Sequence, residues 1–336
     1  MRSVLGGFVS PDPVGGGGNA GHWLCTLSAN SLNRHLPYCT TLTNASFALV
    51  RVAHLPFDWE KPSARPPMID LHSHILPGLD DGSPSLAESL EMARLAVADG
   101  TTHMACTPHI VPGMYENGSA NIARAVQELE QALRRAAIPL ALYVGADVHI
   151  APDLPEQLAL GSVPTLNRSR YFLLEPPHHV LPPRLEDFAL RLIDAGFVPI
   201  LTHPERLTWI KANYDVVEKL NAVGCLIQLT ADSIVGAFGR TALYYSEKLI
   251  DEGRVDIIAS DAHGATRRRP GLSQAVALAA KRCGEDEARN MVLKRPGEIL
   301  ANRPLEPVGK ARPKKPSPGN TGRFAGLGRL LKGGAV

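Results

Sequence analysis

Between residues 68 and 302, short apolar runs alternate with longer stretches of helical character. The short runs at 68–74, 102–109, 140–149, 170–175, 198–203, 225–230 and 255–263 predict β-strands. The stretches at 85–99, 119–136, 152–160, 183–195, 213–223, 237–252, 272–282 and 286–293 predict helices. Gly100, Gly196, Gly224 and Gly253 follow four of these helices, where a left-handed C-cap is wanted. Strand and helix in alternation imply a parallel sheet. Seven such units fit a closed or nearly closed α/β barrel better than an open, doubly wound sheet. No strand is followed by G-x-G-x-x-G, so a dinucleotide-binding fold has no support.

The pattern stops at both ends. Residues 1–67 are rich in Gly, Pro, Ser and Asn, without sustained periodicity, and are expected to be a disordered extension. Met68 stands directly before the first strand and is a candidate alternative translation start. Residues 303–336 are Pro-, Gly- and basic-rich and are expected to be a disordered tail. Within it, 323–332 has the pattern of a short amphipathic helix that would touch anionic lipid or a partner. The plainer alternative is a solvated tail. The expected division is therefore an extension at 1–67, one catalytic domain at 68–302 and a basic tail at 303–336.

Composition changes this picture in two ways. The net charge is only +2, but residues 68–302 hold 22 Lys and Arg against 29 Asp and Glu, while 303–336 hold 8 against one. An acidic central domain argues against nucleic-acid binding and suits bound divalent cations. The five cysteines form no C-x-x-C pair and are scattered, which reads as reduced thiols in a cytoplasmic protein. No apolar run approaches the roughly 18 residues of a membrane span, and the Gly- and Pro-broken N-terminus is no convincing signal peptide. The expected location is the cytoplasm, with the basic tail a possible link to the inner face of the membrane.

The chemistry lies where the strands end. His72 and His74 close the first strand, His109 the second, Asp147 lies near the end of the third, and Glu175 closes the fourth. His203 closes the fifth, and Asp261 and His263 the seventh. A parallel barrel gathers all its strand C-termini on one rim, so these distant residues converge. Side chains two apart on a strand share a face, so His72 and His74 can grip one ion, as can Asp261 and His263. Imidazole and carboxylate suit Zn2+, Mn2+ or iron, and the share of carboxylates makes Mn2+ a natural candidate. A lone strand histidine is usually structural, and His103, His149, His178 and His179 are treated so.

These residues resemble the PHP (polymerase and histidinol phosphatase) superfamily, and within it the CpsB/YwqE-type branch of bacterial manganese-dependent protein-tyrosine phosphatases of capsule and exopolysaccharide synthesis. The carrying stretches are MIDLHSHILPGLDDGS at 68–83, TPH at 107–109, VGADV at 144–148, VPTLNRSRYFLLE at 163–175, THPER at 202–206 and IIASDAHG at 257–264. The resemblance implies a distorted (β/α)7, TIM-like barrel with three divalent ions, Mn2+ first and Zn2+, iron or Co2+ as alternatives. It implies a first ion on His72, His74, Asp147 and Asp261, a second on Asp147, Glu175 and His203, and a third on Asp81, His109 and His263. Asp147 departs from the branch, where the bridging residue is usually Glu. Asp70 is expected beside the ligands rather than among them.

Ions held there would lower the pKa of water to about 7, and the expected chemistry is in-line attack on phosphorus opposite a departing phenolate. Arg206, Asp147 and His263 are the expected catalytic residues. Arg206, three residues after His203, is the first candidate for the phosphate clamp. The triplet Arg267, Arg268 and Arg269 supplies the second, with Arg268 and Arg269 assigned to phosphate. The implied substrate is a phosphotyrosyl protein, in particular the tail of a membrane tyrosine autokinase, and homo-oligomerisation stays open. Alternatives are a small-molecule phosphatase acting on histidinol phosphate, or a degenerate barrel serving as a non-catalytic partner of the kinase. A PHP nuclease is disfavoured by the acidic domain. Cys283 and Arg289 have the C-x5-R spacing of cysteine phosphatases, but Glu285, Asp286 and Glu287 between them oppose a phosphate cradle.

Overall fold

The structure, a computed structural model, describes residues 66–305. Expectations for the extension before residue 66 and for the tail from 306, including the amphipathic stretch at 323–332, lie outside the described residues. The chain runs β1 (Met68–Asp70), α1 (Leu86–Asp99), β2 (Thr101–Cys106), β3 (His109–Ile110), α2 (Ser119–Arg135), β4 (Ala141–Val144), β5 (Asp147–His149), α3 (Leu154–Leu160), β6 (Tyr171–Glu175) and α4 (Leu185–Asp194). It continues β7 (Val198–Thr202), α5 (Tyr214–Val223), β8 (Leu226–Thr230), α6 (Ala231–Ile234), α7 (Gly239–Asp251), β9 (Ile257–Ala259), α8 (Ser273–Cys283), α9 (Glu285–Arg289) and α10 (Arg295–Leu300). A π-helical turn, Asn290–Lys294, joins the last two.

The strands pair in parallel, in the orders β1-β2-β4 and β3-β5-β6-β7-β8-β9. Two predicted strands are thus split, 102–109 into β2 and β3, and 140–149 into β4 and β5. The first break falls at Thr107-Pro108, where proline has no N–H for the ladder. Across the breaks Gly145 N–H donates to the Cys106 carbonyl (3.0 Å) and Asp147 N–H to that of Pro108 (3.2 Å). The two sheets therefore share the second and third strand positions. On the far side the ring closes where Ser73 bridges Ala262, with His74 N–H donating to the Ala262 carbonyl and Asp261 N–H to that of His72, both at 2.8 Å. Seven strand positions result, in the distorted barrel that the alternation of elements predicts.

Period-2 alternation sorts the strand side chains. In β6, Phe172 and Leu174 pack outward under the helices, whereas Tyr171 and Leu173 join an inner cluster with Ile69, Leu71, Ala105, Ile200 and Ile257. Glu175 continues the inner set at the C-terminal mouth. Ile299 and Leu300 of α10 join the same cluster, and Tyr171 OH donates to the Arg303 carbonyl (2.8 Å), so α10 and the residues just after it cover the opposite mouth. The helices lay apolar stripes on the outside, as with Ile122, Val126, Leu129 and Leu133 of α2.

Capping follows the sequence. Ser85 accepts from Glu88 N–H at the start of α1, and Gly100 and Gly224 are left-handed C-caps. One predicted helix differs. The stretch 237–252 begins at Gly239, and the residues before it form the short α6 and a turn, because Gly236 and Gly239 take positive φ. The predicted helix 286–293 becomes α9 and the π-helical turn, and α10 then extends to Leu300 with Pro296 tolerated in its first turn. Among the described residues no helix is long and apolar enough to cross a membrane.

Candidate metal centre

The chain leaves the β1 ladder at Asp70 and buries four polar residues in succession apart from Leu71: Asp70, His72, Ser73 and His74. Burial of polar groups demands partners. Asp70 accepts from the N–H groups of His72 (3.2 Å) and Ser260 (3.0 Å), tying the end of the first strand to that of the last. Three of the imidazoles are oriented through Nδ1. His72 Nδ1 faces the Gln228 side-chain oxygen at 2.9 Å, His74 Nδ1 a carboxylate oxygen of Asp80 at 2.6 Å, and His263 Nδ1 the Asp261 carbonyl at 2.9 Å. Donation from Nδ1 leaves the Nε2 lone pair free, which is how metal-binding histidines are set.

Those Nε2 atoms point into a carboxylate cluster. His72 Nε2 lies 3.1 Å from His74 Nε2 and 3.4 Å from oxygens of both Asp147 and Asp261. His74 Nε2 is 3.3 Å from Asp261, and His109 Nδ1 is 3.3 Å from both Asp147 and Glu175. His203 Nε2 approaches Glu175 at 3.6 Å, and Asp81 lies 3.5 Å from His263 and 3.6 Å from His109. Two atoms each about 2.1 Å from one ion, at tetrahedral or octahedral angles, sit about 3.0–3.4 Å apart. Most of the spacings are of that kind and exceed ordinary charge-assisted hydrogen bonds.

A second observation agrees. Both Asp147 oxygens, His109 Nδ1, His203 Nδ1 and His263 Nε2 are buried without a hydrogen-bond partner. Orphaned donor atoms of this number are rare in a folded protein unless something binds them. The overlapping groups able to hold an ion are His72/His74/Asp147, His72/His203/Asp261, His109/Asp147/Glu175, Glu175/His178/His203 and His74/Asp81/His109/His263. Hard carboxylate oxygens with imidazoles and no thiolate fit divalent ions of the Mn2+ and Zn2+ kind.

Protonation shows which charge the cluster favours. Burial opposes charge on His72, yet Asp261 and Asp147 overcome it and push its pKa up to about 9. Burial likewise opposes charge on His109, but Asp147 and Glu175 raise it to about 11. Burial would raise the carboxyls, and the imidazoles around them nevertheless hold Asp147 and Asp261 well below the usual range. The site demands positive charge, which bound cations would supply in place of protons.

The residues expected from the strand ends, His72, His74, His109, Asp147, Glu175, His203, Asp261 and His263, all lie in these groups, as does Asp81, which the resemblance implied. Arg206 and Arg268 both donate to the same oxygen, Oδ2, of Asp261. Arg268 Nε is buried without a partner. A cleft of about 560 Å³ opens beside them, lined by residues that include Asp81, Phe238, His263, Arg267 and Arg268. Arg269 is exposed and is not among its lining residues. His203 (φ 34°), Asp261 (φ 52°) and Arg268 (φ 48°) all hold left-handed backbone, a strain that clusters at functional sites.

Three residues escape sequence reasoning. His178, treated as incidental, reaches Glu175 at 3.3 Å and belongs to a donor group with His203. Asp80 accepts from His74 and from the N–H groups of Gly82 and His109, both at 2.9 Å. Gly82 permits this turn, because a Cβ there would stand 2.3 Å from the His74 backbone oxygen and Cβ. Gln228 is the third; its signal is an amide amid Leu226, Ile227 and Leu229 in a buried strand, Leu226–Thr230. Cys283 is no nucleophile, since burial and Glu287 raise its pKa and its thiol donates to the Ala279 carbonyl.

Residues 68–301 match the family described as capsular polysaccharide synthesis, CpsB/CapC. The chain is 33% identical over 219 residues to tyrosine-protein phosphatase YwqE of Bacillus subtilis strain 168, across 65% of this chain and 86% of YwqE. It is 34% identical over 207 residues to the putative tyrosine-protein phosphatase CapC of Staphylococcus aureus, across 62% and 81%. It superposes with a TM-score of 0.68 and 32% identity on a crystal structure from the pair YwqE and Streptococcus pneumoniae CpsB, described as unique metal-dependent tyrosine phosphatases. That match covers 71% of this chain and 96% of the other.

Proposed function

The chain belongs to the CpsB/CapC capsular polysaccharide synthesis family, and from that premise we propose that it is a metal-dependent tyrosine-protein phosphatase. The observation that carries the reading is the set of buried, partnerless donor atoms on His109, Asp147, His203 and His263 beside two guanidinium groups. His72, His74, Asp147 and Asp261 would hold one ion. Asp147, Glu175 and His203 would hold a second, with His178 at its edge, and Asp81, His109 and His263 a third. Mn2+ is the ion we favour, on the share of carboxylates. Bound there, the ions would acidify water and offset phosphoryl charge.

The protein's own groups do the rest. Arg206 and Arg268 meet at one oxygen of Asp261, and their guanidinium groups present the planar N–H donors that suit phosphoryl oxygens. Gln228, Asp80 and the Asp261 carbonyl hold the imidazoles of His72, His74 and His263 in place. Tyrosine's phenol has a pKa of about 10, so a phenolate leaves with little help from an acid. Binding and charge neutralisation are therefore the main demands on the site. The substrate we infer is phosphotyrosine on a protein, the tail of a membrane tyrosine autokinase, met in the cytoplasm.

The test is turnover of a phosphotyrosyl peptide and of histidinol phosphate by purified protein with each of Mn2+, Zn2+, Co2+ and Mg2+. Preference for the peptide supports the proposal. Preference for histidinol phosphate would move it to a small-molecule phosphatase, and metal binding without turnover of either would favour a non-catalytic partner.

A further inference from the structure

The turn between α6 and α7 presents one aromatic ring to the site. Gly236 (φ 86°) and Gly239 (φ 88°) bracket Ala237 and Phe238, and both glycines hold backbone that other residues adopt with strain. The turn they make puts Phe238 where two clefts meet. One is the 560 Å³ cleft along His263 and Arg268. The other, of about 500 Å³, is lined by residues including His178, Arg206, Thr208 and Lys211. Phe238 lines both.

The ring also meets the two guanidinium groups. The Arg206 guanidinium carbon lies 4.4 Å from the ring centroid and that of Arg268 5.8 Å. Both are within the range of cation–π attraction. Two like charges converge on one oxygen of Asp261, an arrangement that repels unless something else holds them. Asp261 alone cannot do this once a cation draws on its charge. The ring face is neutral overall, takes no proton and is unaffected by cations on the carboxylates, so its hold on the guanidinium groups persists.

We propose that Phe238 is a positioning residue, which acts through Arg206 and Arg268 to keep both guanidinium groups aimed at the phosphoryl group of the substrate. The inference rests on the phosphatase reading, but its consequence is anion binding, which needs no turnover. A guanidinium already fixed by a ring face loses less freedom when it binds an oxyanion. Arg206, at 4.4 Å, is held more closely by the ring than Arg268, at 5.8 Å.

Inorganic phosphate, titrated calorimetrically into the Mn2+-loaded full chain, tests this beside p-nitrophenyl phosphate kinetics. Phe238→Leu keeps an apolar side chain and removes the ring. It should weaken phosphate about 10-fold and raise KM by a similar factor, with bound metal and Tm unchanged. Phe238→Tyr should restore both values. Wild-type phosphate affinity in Phe238→Leu overturns the inference, as does an equal loss in Phe238→Tyr, a loss accompanied by lost metal, or no phosphate binding by the wild type. Phosphate binding by a wild type that hydrolyses no phosphoester would remove the phosphatase reading, and the calorimetric comparison would still decide the role of Phe238.

Discussion

His74 and Asp80 stand six residues apart in sequence and 2.6 Å apart through Nδ1 and a carboxylate oxygen. Asp80 accepts the Nδ1 proton and so leaves Nε2 unprotonated toward Asp261, His72 and the ion position. An amide at position 80 can offer its N–H2 to Nδ1 instead. The proton then moves to Nε2, where it blocks ligation. Asp80→Asn should therefore lower metal affinity about 10- to 100-fold while leaving the fold intact. Metal titration with circular dichroism checks this, and wild-type affinity in Asp80→Asn would refute the orienting role.

His203→Ala and His263→Ala should each reduce turnover of a phosphotyrosyl peptide by more than about 100-fold, because each removes a buried donor atom from the ion cluster. Cys283→Ser should retain wild-type turnover, since its thiol is held protonated. A dead Cys283→Ser enzyme, or two active histidine variants, would count decisively against the site.

The two oxygens of Asp147 have no hydrogen-bond partner. The residue lies 3.4 Å from His72 and 3.3 Å from His109. One more methylene would carry the carboxylate further between the two ion positions. Asp147→Glu should bind Mn2+ as tightly as the wild type or more tightly. Competition against a fluorescent chelator measures this, and a loss beyond about 10-fold would exclude the bridging assignment.

Asp256 belongs to none of the candidate ion-holding groups and gives a pH dependence. Burial raises its pKa from 3.8 to about 6, although it accepts from Ile227 N–H at 2.8 Å. The folded state thus favours the protonated acid. The stability this gives is present below pH 4 and lost as pH rises through 6, on the order of 1–3 kcal/mol. Asp256→Asn keeps an acceptor and loses no stability over that window. Its Tm relative to wild type should rise between pH 4 and pH 8 by about 2–4 °C for each kcal/mol. A Tm difference that is flat with pH would contradict the buried-acid account.

The sequence alone determined the alternation of strand and helix, and with it the parallel barrel. Period-2 and helical patterning reflect local geometry, so they are written in consecutive residues. It also located eight metal-site candidates, because a parallel barrel brings strand ends to one rim whatever lies between them, whereas Asp81, on the loop after the first strand, came only from the family resemblance. The breaks at Pro108 and Gly145 were not legible as sheet changes, since strand pairing is settled by neighbours far along the chain. Asp80 and Asp81 are adjacent carboxylates, and only the packing of Gly82 on His74 decides which one holds His74 Nδ1 and which faces His263 and the cleft. His178 sits beyond a strand end, on backbone whose path no periodicity predicts. Phe238 meets Arg206 and Arg268 from a different βα unit. Tertiary structure decided those contacts, because side chains that touch across a barrel mouth leave no spacing in the sequence.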